Sequence, residues 1–107
     1  MPDTPAADEL RTMRLRLVVD QAQRYEAGEL ALADLSAGIE SLISALRDES
    51  GDDEGATSLQ GIWGGIQIIN AVCLDEQREP RPAEEAQVRR DLAQIRRAAE
   101  ARLSPSA

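Results

Sequence analysis

Eight carboxylates crowd into two short stretches of this 107-residue chain. Asp48, Glu49, Asp52, Asp53 and Glu54 lie in DESGDDEG, and Asp75, Glu76 and Glu79 lie in LDEQRE. Grouped acids can hold a metal ion, share protons in a catalytic pair, or attract a cationic partner. The first two options need companions that are missing. DESGDDEG lacks the alternating ligands and distal Glu of an EF-hand loop. The chain has no His, which removes the imidazole base, the His–carboxylate metal triad and the Glu-x-x-His pattern of di-iron bundles. Cys73 is the only cysteine, so neither an internal disulfide nor a Cys-based zinc site can form. It sits among Ile, Val and Leu without an activating neighbour and reads as a small core residue. GIWGG at Gly61–Gly65 follows no strand and precedes no Lys, unlike a phosphate-binding loop. Adjacent Glu84 and Glu85 read as helix-start residues. The expectation is a non-enzyme with no cofactor and no metal.

The third option fits the charge distribution. Formal net charge is −8, and all twelve basic residues are Arg. Residues 48–79 carry eight acids against Arg78 alone, a net of −7, whereas residues 80–107 carry six Arg against four acids. Such a field repels nucleic-acid phosphates. It steers a basic protein toward the chain and speeds its association. An acidic loop also keeps a small protein soluble, and the abundance of Arg and Ala is equally an imprint of GC-rich codons. The candidate partner-binding residues are Asp48, Glu49, Asp52, Asp53 and Glu54, then Asp75, Glu76 and Glu79.

The elements that must carry these acids are helical. Aromatics make up only 2% of the sequence, with Trp63 and Tyr25 alone, so the core must be aliphatic. A frayed tail over 1–7 precedes a first helix over about 8–27, capped by Asp8 and stopped by Gly28. Its apolar rows are Leu10, Met13 and Leu17, and Leu15, Val18, Ala22 and Tyr25. The second helix, about 32–47, has the cleanest amphipathic repeat: Leu32, Leu35, Ile39, Leu42, Ile43 and Leu46. DESGDDEG reads as a solvated loop. The third helix, about 57–76, is apolar nearly all round, which predicts the central, most buried helix. Gly61, Gly64 and Gly65 in it imply close approach of a neighbouring backbone or a partner. Trp63 is expected in the core and Asn70 as a buried, satisfied amide fixing helix register. Pro80 and Pro82 end the link to a fourth helix, about 83–103, with a seam of Val88, Leu92, Ile95 and Ala99. Its arginines read as a solvated face paired with nearby Glu. The tail over 104–107 is polar. The expected fold is all-α: one domain, a four-helix bundle or close variant. The apolar run is too short and too interrupted by Gln67 and Asn70 to span a membrane. No cationic start with an apolar h-region appears, so a cytoplasmic location is the expectation.

The order of motifs carries a resemblance. AQRYEAGEL closes one helix, ALADLSAGIESLISAL forms the next, an acidic break follows, then a Trp, INAVCLDEQ and a Pro-started last helix. From Val18 to Leu103 this resembles the small acidic helical immunity proteins of bacterial polymorphic-toxin and contact-dependent inhibition systems. The resemblance implies a protein that binds and neutralises a cognate toxin domain, often a nuclease, without catalytic residues of its own. The alternative is a helical oligomerisation or regulatory adaptor, in which the glycine-marked face of the third helix meets a receptor helix or a second copy as a homodimer.

Overall fold

The computed structural model describes residues 7–48, 51 and 53–103. They form α1 (Ala7–Glu26), α2 (Leu32–Asp48), α3 (Asp53–Asp75) and α4 (Pro82–Leu103). The expected tails, together with Glu49, Ser50 and Asp52, lie outside the described residues, apart from Ala7, which opens α1. Each helix packs on its chain neighbours, and α4 closes the ring on α1; the backbones of the diagonal pairs stay apart, with no Cα atoms within 8 Å. Side chains fix the directions. Gln21 of α1 lies over Gly38 of α2, and Gly65 of α3 faces Asp91 of α4. Arg47 at the end of α2 bonds Thr57 and Gln60 near the start of α3. Tyr25 at the end of α1 meets Glu85 at the start of α4. Neighbours are therefore antiparallel, and the fold is an up-down-up-down four-helix bundle.

The links explain themselves locally. Gly28 adopts φ +78°, its N–H bonds the carbonyl of Tyr25, and the N–H of Glu29 bonds that of Arg24. This pair of bonds is the Schellman ending that glycine makes without strain. α3 ends in the same way with a less suited residue. Gln77 adopts φ 52°, while the N–H groups of Gln77 and Arg78 bond the carbonyls of Leu74 and Cys73. The helix thus stops at Asp75, five residues before Pro80, not because of it. At the other end α3 begins at Asp53, four residues earlier than the spacing of apolar residues implied. Asp53 and Glu54 face the partial positive charge of the helix N-terminus, and Gly55 and Ala56 are small enough to be buried. The last three of the eight residues of the expected loop, Asp53, Glu54 and Gly55, are therefore in the first turn of the helix.

The core is aliphatic, as composition required. Leu15 and Val18 of α1, Leu35, Ile39 and Leu46 of α2, Leu59 and Ile66 of α3, and Val88, Leu92 and Ile95 of α4 are all buried. Trp63 joins them at 3% exposed, and Cys73 is buried as well. One apolar row faces outward, and one expectation fails. Met13 and Leu17 are exposed, because the row of Leu15, Val18, Ala22 and Tyr25 already occupies the inward stripe of α1. α3 is not a central helix. In a ring of four every helix keeps an outward face, and on α3 this leaves Ile68 66% and Leu74 61% exposed.

Candidate functional site

α3 sets the distance between the two acidic groups. At 1.5 Å per residue, the path from Asp53 to Asp75 is about 33 Å. Asp48, Asp53 and Glu54 gather at the α2–α3 end, and Asp75, Glu76 and Glu79 at the α3–α4 end. All six are exposed. The structure thus brings each group together internally but keeps the two at opposite ends of the molecule.

The ends differ in electrostatic state. Glu76 bonds Arg78 at 2.7 Å and lies 3.9 Å from Arg81. Arg78 also grips Glu84 through two nitrogens, at 2.6 and 3.1 Å, and donates to the carbonyl of Glu79. Glu84 additionally accepts the backbone N–H of Arg81 at 2.8 Å, the capping contact expected of a Glu at the third helical position. The Arg78 guanidinium, helped by that N–H, holds the Glu84 carboxyl down at about 2; Glu84 and Glu76 in turn push Arg78 up. Glu76 and Glu84 are therefore answered internally, while the carboxylates of Asp75 and Glu79 pair with no arginine among the described residues. At the α2–α3 end, Arg47 is directed to Thr57 and Gln60. Among the described residues no arginine pairs with Asp48, Asp53 or Glu54.

A cleft of about 450 Å³ opens at the α3–α4 end, and sequence reasoning did not locate it. Leu30, Leu32, Leu74 and Pro80 give it apolar walls; Tyr25, Asn70, Arg78 and Arg89 supply polar groups. The Tyr25 hydroxyl donates to Glu85 at 2.5 Å. Arg89 donates to the same carboxylate at 2.8 Å and stands 5.8 Å above the phenol ring. Burial, and then the bond to Glu85, push the Tyr25 hydroxyl well above the ordinary tyrosine value. Asn70 is half-buried and borders the cleft, and its amide makes no hydrogen bond among the described residues. It is not the buried, satisfied amide expected from its position. Two arginines of α4 pair with Glu as expected, Arg89 with Glu85 and Arg96 with Glu26 and Glu100, whereas Arg90 bonds Gln87.

The glycines of α3 separate into two kinds. A Cβ on Gly65 would lie 2.6 Å from an Asp91 carboxylate oxygen, whereas a Cβ on Gly61 or Gly64 would meet nothing within 4 Å. Only Gly65 answers to a neighbour inside the bundle. Among the described residues no group of three or more Cys, Asp or Glu is placed to hold a metal ion. No described helix is long and apolar enough to cross a membrane. No family model, curated protein or solved structure matches this chain, and its functional reading rests on these side chains and their geometry.

Proposed function

We propose that this chain is a non-catalytic binding protein that neutralises a cationic protein domain, in the manner of the immunity proteins it resembles. The α2–α3 end makes the first contact. The observation that carries this reading is that Asp48, Asp53 and Glu54 have no arginine partner among the described residues, whereas at the other end Arg78 and Arg81 engage Glu76 and leave only Asp75 and Glu79 without one. Unpaired carboxylates retain their full attraction for an external cation, and nothing within the fold must be broken to use them. Glu49 and Asp52 belong to the same stretch by sequence. With a basic nuclease as partner, the carboxylates occupy the place of substrate phosphates and cover the active-site Arg and Lys. An active site cannot span about 33 Å, so Asp75, Glu76 and Glu79 are at most a second contact.

The test is to look for a secreted protein encoded immediately upstream and to co-express its C-terminal domain with this chain. Growth is expected to be arrested by that domain alone, restored by this chain, and no longer restored by the Asp48→Asn/Asp53→Asn/Glu54→Gln variant. Full protection by the triple variant removes this end from the mechanism. A genomic neighbourhood without such a secreted protein overturns the toxin reading.

A further inference from the structure

The outward face of α3 carries a second regularity. Glu54, Thr57, Gly61, Gly64, Ile68, Ala71 and Asp75 recur at alternating steps of three and four residues, the spacing of a coiled-coil seam. In a bundle that seam would point inward. Here the inward residues are Leu59, Trp63, Ile66 and Cys73, and the seam faces solvent. Its middle is apolar and small apart from Ile68, which is 66% exposed. Both ends are acidic, with Glu54 and Asp75 about 32 Å apart. Gly61 and Gly64 each cost the helix about 1 kcal/mol against Ala, and no residue of the fold needs the space they leave.

We infer that this face is the docking seam for a helix of the partner: an amphipathic helix with a bulky aliphatic stripe and a basic residue toward each end. The inference rests on the proposed cationic partner and adds how that partner is held. Glycine and alanine at Gly61, Gly64 and Ala71 let a facing axis approach to the short end of the usual range, about 8 Å, with the partner's larger side chains filling the gap. Charge selects the occupant. A second copy would set Glu54 against Glu54 in a parallel pairing and against Asp75 in an antiparallel one, with a net charge of −8 on each chain. A helix with basic ends meets a carboxylate at both termini of the seam. Arg47 reaches the seam at Thr57, 3.4 Å away, and bonds Gln60, but forms no ion pair with Glu54, whose carboxylate is left for a cation of the partner.

The experiment titrates the full chain with two synthetic helix-forming peptides and reads affinity by calorimetry and contacts by backbone amide shifts. The first peptide has leucines at the same spacing and arginines at both ends; the second keeps the arginines and replaces the leucines with glutamine. The first is expected to bind at least tenfold more tightly and to shift the amides of Gly61, Gly64, Ile68 and Ala71. Ile68→Asp should weaken it at least tenfold, and Glu54→Gln/Asp75→Asn several-fold with a flatter salt dependence. These side chains are exposed, and unchanged helical circular dichroism verifies that the variants fold. Failure of the first peptide to bind, or its indifference to Ile68→Asp, overturns the seam. Equal binding of both peptides, weakened only by the Asp48, Asp53 and Glu54 substitutions, overturns the seam and leaves the acidic-end reading standing. Binding lost in Ile68→Asp but untouched by Glu54→Gln/Asp75→Asn overturns the basic-ended partner. A dimer in sedimentation that Ile68→Asp dissolves overturns it in favour of a second copy.

Discussion

Tyr25 links α1 to α4 through its hydroxyl, and the bond needs a protonated phenol facing an ionised Glu85. Burial and that carboxylate both resist ionisation, so the folded value lies above the ordinary 10.0. The linkage has a definite sign. A group whose folded value is raised contributes stability that is intact below its unfolded value and is lost as pH rises toward the folded one. Stability should therefore hold up to about pH 10 as far as Tyr25 is concerned and fall above it. Tyr25→Phe should cost about 1 kcal/mol at neutral pH, the net worth of one hydrogen bond, and should flatten the alkaline slope. Urea denaturation at a series of pH values checks both. Tyr25 is the only tyrosine, so its phenolate absorbance independently reports the shift. An ordinary titration midpoint would mean that the Glu85 bond does not persist in solution.

At the scale of the element, α3 shows what a sequence displays and what it conceals. The apolar residues of α2 name its buried face almost without error, because a single stripe leaves no choice. α3 offers apolar residues on every side, and hydropathy cannot tell which side is left over when four helices close a ring; that depends on how many neighbours each helix meets. The same missing information left open which of the two apolar rows of α1 faces inward, and Met13 and Leu17 belong to the row that does not. The start of α3 was hidden for another reason: carboxylates and glycine read as loop, yet at a helix N-terminus the field favours the acids. Gln77 gave no turn signal, because its left-handed conformation is imposed by the link to α4. Of the candidate acids, the clustering was legible in sequence. The engagement of Glu76 was not, since Arg78 folds back onto it only after Gln77 has turned the chain. The glycines supply the test at this scale. Gly61→Ala and Gly64→Ala enter open space and should each stabilise the protein by about 1 kcal/mol. Gly65→Ala must displace the Asp91 carboxylate, which also accepts from Gln87 at 2.8 Å, and should gain less or lose. Thermal or urea unfolding of the three variants gives the ranking. Equal gains at all three would show that Gly65 is not held by Asp91.

For the whole molecule, stability and recognition respond differently to the same charges. A net charge of −8 on 107 residues repels itself, a modest cost to the compact state that salt screens. Asp53 and Glu54 also gain about 0.3–1 kcal/mol each from the α3 N-terminus. Neutralising Asp48, Asp53 and Glu54 removes both effects, and they oppose each other. The triple variant should therefore unfold within about 1 kcal/mol of the parent. Its encounter with a cationic partner has no such compensation. Steering depends on the external field, so association at low ionic strength should slow about tenfold or more. The two proteins should converge as added salt shortens the screening length to a few ångströms. Stopped-flow association with the upstream-encoded domain, or with an arginine-ended peptide in its place, measures the rates, and urea denaturation of the same samples measures stability. A variant that loses stability and association together would make these acids structural. A variant that loses only its on-rate, and loses it only at low salt, makes the α2–α3 end a long-range attractor whose work is finished once the partner is in contact.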